Sequence, residues 1–142
     1  MFNFIDEKII NFFKRTWEPI SRISLFIVFF YFGLLKVLNL SPATPLLEAL
    51  ASKTIAFLDF NFFIVFFGFF EMMIGLAFVI PKLERLAFFL LALHMITTFL
   101  PLIFLPKVTW ISFFVPTLEG QYIIKNLVII SLAFAISAHL KK

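Results

Sequence analysis

The stretch FNFFIVFFGFFEMMIGLAFVI, residues 60–80, decides the class of fold. It holds one charged side chain, Glu71, and stops at Pro81. A helix rising 1.5 Å per residue needs about 20 mostly apolar residues to cross a hydrocarbon core of roughly 30 Å. A strand is no alternative, because its open edge would present unpaired backbone groups to lipid. The stretch therefore predicts a transmembrane helix. Working outward from it, three more segments qualify. One covers about residues 20–40 and ends at Ser-Pro-Ala-Thr-Pro (41–45). Another covers about 86–105, with Pro101 near its end and Pro106 beyond it. The last covers about 122–140.

Composition agrees. Of the 142 residues, 63% are hydrophobic, 14% are charged and 24 are phenylalanine. A soluble domain averages about 45–50% apolar and about 25% charged residues. A chain this short has too little interior to hide so much apolar side chain, which excludes a soluble globule and a disordered chain alike. Cysteine is absent, so the chain carries no disulfide, thiolate metal site or dithiol relay. The net charge of +4 finds its natural partner in anionic lipid head groups rather than in nucleic acid.

Residues 1–19 read differently. Phe2, Phe4, Ile5, Ile9, Ile10, Phe12, Phe13 and Trp17 alternate with Asp6, Glu7, Lys8, Lys14, Arg15 and Glu18. The pattern predicts an amphipathic interfacial helix lying on the head groups, followed by the transmembrane domain at 20–142. A frayed tail is the alternative. The full-length span that follows, with no small-residue cleavage pattern, argues against a secretory signal.

Lysine and arginine set the orientation. The N-terminal end, the loop at 81–85 and the C-terminus carry eight: Lys8, Lys14, Arg15, Arg22, Lys82, Arg85, Lys141 and Lys142. The loops at 41–59 and 106–121 carry two, Lys53 and Lys107. Both termini are thus expected to be cytoplasmic. The short connection at 81–85 makes a tight antiparallel hairpin of spans two and three. The longer external loops, rich in proline and holding Trp110, are expected to fold back as interfacial turns or caps, or to stay mobile.

Four ionisable groups fall inside spans: Lys36, Glu71, His94 and Lys125. Each costs roughly 2.5–3.5 kcal/mol at mid-helix on insertion scales, which makes each a candidate for function or for structural pairing. Lys36 and Lys125 lie about 6 Å inside the external boundary, Glu71 about 16 Å inside and close to the midplane. The lysines can snorkel; Glu71 cannot reach so far. On span two Gly68, Glu71, Met72 and Gly75 form one stripe, and glycines let a neighbouring backbone approach closely. Gly33 and Lys36 share a stripe on span one, as do His94, Thr97, Thr98 and Pro101 on span three. On span four the polar pairs are Gln121 with Lys125 and Tyr122 with Asn126. The simplest arrangement turns all four stripes inward, giving a four-helix bundle with a buried polar cluster toward the external side.

That cluster has competing readings. It is a structural lock, with Glu71 satisfied by Lys36, Lys125 or both. Or it is a small-molecule or proton site, the use to which Lys–Glu–His arrays are put in proton relays and substrate paths. His94 reads as a core residue bonded to the hydroxyl of Thr97 or Thr98, or as a catalytic group. With no cysteine, and with His94 and His139 at different depths, nothing points to haem or to a metal site. No Gly-rich phosphate loop, serine nucleophile motif or aspartate pair is present. The phenylalanine runs cover every helix face, as lipid contact and core packing require.

The ordered set of motifs is familiar. Span one opens with Arg22 and closes as Gly33-Leu-Leu-Lys36. Span two carries Gly68-Phe-Phe-Glu71-Met-Met-Ile-Gly75-Leu. Span four opens as Glu119-Gly120-Gln121-Tyr-Ile-Ile-Lys125-Asn126. After residue 20 the chain resembles the DoxX-like superfamily, closest to its YkgB/RclC-type branch of small inner-membrane proteins. The resemblance implies a compact bundle of four membrane helices. It also implies an association with quinone-linked oxidation or with resistance to oxidative and reactive-chlorine stress. Its pattern maps onto Lys36, Glu71 and Lys125, with Gly33, Gly75 and Gly120 as spacing residues. The candidate ligand-binding set is therefore Lys36, Glu71, His94, Lys125, Glu119 and Gln121. The expected role is an accessory component that binds a quinone-like lipophilic molecule beside a redox partner protein. The alternatives are a proton-coupled transporter or a purely structural subunit.

Overall fold

The computed structural model describes residues 2–140, with side chains from Ile5 onward. Lys141 and Lys142, counted in the charge asymmetry, lie outside the described residues, as do Met1 and the side chains of Phe2 and Phe4. Helix α1 spans Phe2–Val37, α2 Thr44–Thr54, α3 Phe60–Val79 and α4 Glu84–Phe104. A single turn, α5 (Pro106–Thr109), leads into a small hairpin of β1 (Trp110–Ser112) and β2 (Val115–Pro116), and α6 spans Leu118–Ala138. Helices α1, α3, α4 and α6 are long and apolar enough to cross a membrane, so the chain is an all-α four-helix membrane bundle.

The helix ends are written in local chemistry. Asp59 caps α3 by accepting from the Phe62 N–H at 2.9 Å, and Thr117 caps α6 by accepting from the Gly120 N–H at 3.1 Å. Helix α1 stops at a left-handed Asn39 with φ 58°. The Asn39 N–H donates to the Lys36 carbonyl and the Leu40 N–H to the Leu35 carbonyl, the bond pair of a Schellman cap.

Helix α1 runs 36 residues, about 54 Å at 1.5 Å per residue, with Pro19 inside it. The amphipathic segment and the first span are therefore one continuous helix, with no break between residues 19 and 20. Residues 5–15 are exposed throughout, and the bundle begins at Trp17, whose ring lies 4.7 Å from that of His139. Being longer than the hydrocarbon core is thick, α1 carries its mixed apolar and charged first third into the head-group layer or beyond.

Helices α1 and α3 share the most extensive interface. They touch backbone to backbone. A Cβ on Gly33 would lie 2.5 Å from the Gly68 carbonyl oxygen, and one on Gly68 would lie 2.6 Å from that of Gly33. Below this crossing the core is Leu25, Phe29, Ile74, Phe78, Leu91 and their neighbours.

The two long connections, between α1 and α3 and between α4 and α6, fold back as caps. Lys53 of α2 donates to the Phe104 carbonyl at 3.0 Å, and the Trp110 ring N–H donates to the Leu102 carbonyl at 3.0 Å. Both bonds satisfy carbonyls in the last turn of α4, which no intrahelical donor reaches.

Candidate functional site

Lys36 follows Gly33 by one turn, and Glu71 follows Gly68 by one turn. Helical side chains lean toward their own N-terminus, so on antiparallel α1 and α3 the two reach toward each other across the glycine crossing. Lys36 Nζ donates to Glu71 Oε2 at 2.6 Å. From α4, His94 Nε2 lies 2.9 Å from the other carboxyl oxygen, Oε1. The relative exposures of Lys36, Glu71 and His94 are 6%, 5% and 6%, so all three are withdrawn from the surface.

The surroundings are aromatic. The His94 ring stacks on Phe67 at 5.1 Å and on Phe70 at 6.2 Å, and meets Phe29 edge-on at 5.4 Å. Lys36 Nζ stands 5.9 Å from the centre of the Phe67 ring. In such a setting an unpaired charge is costly, and here each polar atom has a partner.

Thr98 completes the network. Its hydroxyl oxygen is 3.1 Å from His94 Nδ1 and 3.0 Å from the His94 carbonyl oxygen. Thr97 donates to that same carbonyl at 2.7 Å. Rotating the Thr98 hydroxyl serves either tautomer of His94. With its proton aimed at Nδ1, the ring carries its own proton on Nε2 and donates to Glu71. With its proton aimed at the carbonyl, it accepts from Nδ1–H, and a proton is then free to sit on either side of the Glu71–His94 contact. His94 thus bonds the Thr98 hydroxyl, as the core reading expects, and also contacts Glu71.

The other expected members do not join. Lys125, Gln121 and Glu119 are exposed on α6, and Lys125 Nζ sits over the Tyr122 ring, 5.0 Å from its centre. The reason is helical phase. Helix α6 buries Gly120, Ile123, Ala133 and Ile136. Lys125 and Gln121 are each two positions from Ile123, about 200° around the helix in either direction, and so point away. A Cβ on Gly120 would overlap the Thr109 carbonyl, which fixes that face inward. Only three of the four polar stripes face the interior.

A second polar group forms around Arg22, which sequence reasoning used for charge balance and as the start of the span-one motif but not as a site. Arg22 donates to Glu18 at 2.8 Å, to Glu84 at 3.2 Å and to the Phe78 carbonyl at 3.1 Å. It ties α1 to the end of α3 and the start of α4. Its place opposite the acidic start of α4 was the available signal. Among the described residues, no three His, Asp or Glu side chains gather as metal ligands would. No family model, curated protein or solved structure matches this chain.

Proposed function

We propose that this chain is a small DoxX-like inner-membrane component with cytoplasmic termini, in which the Lys36–Glu71–His94 triad exchanges a proton in the service of a quinone-class lipophilic molecule. The observation that carries the reading is the double engagement of Glu71. A permanent donor, Lys36, holds one oxygen, and a two-sided proton carrier, His94, faces the other. Lys36 balances and orients the carboxyl group. The Glu71–His94 contact is where a proton moves, and Thr98 adjusts to each position of it. A quinone supplies the two-electron chemistry when bound, and a partner protein supplies the electrons. An apolar cavity of about 200 Å³ between α4 and α6 is lined by Leu91 and Met95, which flank His94 on α4.

A second reading, a purely structural lock, is favoured by the complete pairing of the triad's own polar atoms. Titrating a short-chain quinone into the detergent-purified protein on both sides of neutral pH separates the two. The proton-exchange reading expects binding whose pH dependence disappears in Glu71→Gln while the fold survives. Absence of quinone binding in the native protein, with Glu71→Gln lowering only the melting temperature, leaves the structural lock. Uptake driven by a pH gradient in liposomes, without quinone, makes the protein a carrier instead.

A further inference from the structure

At the end of the bundle that carries the termini, a cavity of about 360 Å³ opens between the α3–α4 turn and the end of α6. Its walls are Pro81, Lys82, Glu84, Arg85 and Leu140. The volume falls within the range of small-ligand sites. The charges are arranged for an anion. Glu84 is already engaged by Arg22 at 3.2 Å. Among the described residues, neither the Lys82 nor the Arg85 side chain has a hydrogen-bond or ion-pair partner. The cavity thus presents two uncommitted cations.

Depth identifies the anion. Helix α3 ends at Val79, α4 begins at Glu84 and α6 ends at Ala138. The cavity therefore lies where the apolar spans stop, at the level of the lipid phosphates. Pro81 and Leu140 give it apolar wall beside the cations, suited to a molecule that is charged at one end only. Lys82 holds φ 73°, a left-handed conformation that a lysine adopts at a cost and a glycine adopts freely.

We propose that this cavity binds the phosphodiester of an anionic phospholipid, with Lys82 and Arg85 as its two cationic ligands. Arginine grips phosphate through paired N–H groups, and lysine adds a point charge. Basic pockets at this level between membrane helices are suited to such head groups. The inference stands apart from the triad and survives the failure of the proton-exchange reading.

The test is lipid competition on the full chain. Delipidated protein is given phosphatidylglycerol and phosphatidylcholine in equal amounts, and retained lipid is counted by native mass spectrometry. The native chain is expected to retain phosphatidylglycerol about tenfold over phosphatidylcholine, since each basic residue near the surface contributes a several-fold preference. The double variant Lys82→Ser/Arg85→Ser is expected to lose that preference, and Lys107→Ser, at the other end of the bundle, to keep it. Should the double variant fold poorly, Lys82→Gly preserves the turn and is expected to lose part of the preference. A native chain with no preference, or variants that all keep it, overturns the proposal. A parallel melting experiment adds inorganic phosphate in place of lipid. Stabilisation equal to that given by phosphatidylglycerol overturns the lipid assignment in favour of a free phosphate.

Discussion

Gly33 and Gly68 are mutually exclusive with side chains: a methyl on either falls within 2.6 Å of the other's carbonyl oxygen. The obstacle on each side is backbone, which cannot rotate away. Gly33→Ala and Gly68→Ala are therefore each expected to push α1 and α3 apart. The expected cost is about 1–3 kcal/mol, the usual range for overpacking, read as a lower melting temperature in detergent. Because Lys36 and Glu71 flank this crossing, one turn to either side, either variant should also weaken their pair. Gly75→Ala meets the Phe30 amide at 2.9 Å and is expected to cost less, as that contact lies away from the pair.

The Lys36–Glu71 bond can be measured by a double-mutant cycle. Lys36→Met leaves Glu71 with His94 alone, and Glu71→Gln leaves Lys36 without a countercharge. Each single change is expected to lower stability, and the double variant to be less destabilised than the sum of the two. The expected coupling is about 1–3 kcal/mol. Additive losses would mean that the 2.6 Å contact does not hold the helices together.

Thr98 touches the proton chemistry without touching Glu71. Thr98→Val keeps the shape of the side chain and removes the hydroxyl that faces His94 Nδ1. With that partner gone, only Glu71 remains to accept from the ring. The imidazole proton is expected to move fully to Nε2, whereas the Thr98 hydroxyl of the native chain can serve either tautomer. Nitrogen-15 NMR of labelled histidine reads this directly, with His139 as an internal reference. The stability loss should be near 1 kcal/mol, that of one ordinary hydrogen bond.

Depth was legible in the sequence and direction around the helix only partly. Glu71 between Gly68 and Gly75 announced a face turned toward protein, because small residues serve close helix contact and lipid does not need them. Lys36 and Lys125 were indistinguishable by depth, each lying about four residues inside the boundary away from the termini. What separated them was the stripe of Gly120 and Ile123, which competes with Gln121 and Lys125 for the inward face of α6 and wins through contact with Thr109. The caps at Asp59 and Thr117 use residue types that favour helix starts, though the spans were bounded by hydropathy alone. The bonds from Lys53, Trp110 and Arg22 to distant backbone carbonyls were not readable, since no spacing rule links a side chain to a carbonyl on another helix.

Orientation has its own check. The native chain has no cysteine, so single cysteines placed at Lys82 and Lys107 give a clean background for labelling. A membrane-impermeant reagent applied to intact cells is expected to reach the site at 107 and not the site at 82. The reverse pattern would invert the assignment made from eight basic residues against two.

Arg22 offers a test that separates ion pairing from backbone capping. Two of its partners are carboxylates, Glu18 and Glu84; the third is the Phe78 carbonyl, in the last turn of α3. Salt screens the ion pairs, whereas the bond to a neutral carbonyl is far less sensitive to it. Arg22→Gln is therefore expected to lower stability by about 1–3 kcal/mol in low salt and by less in high salt, as the native chain loses its screened share. Arg22→Lys keeps the charge but not the fork of donors, so it should recover only part of the loss. A penalty unchanged by salt would show that the cap on α3 alone accounts for the residue. A penalty abolished by salt would show that the bond to Phe78 contributes nothing.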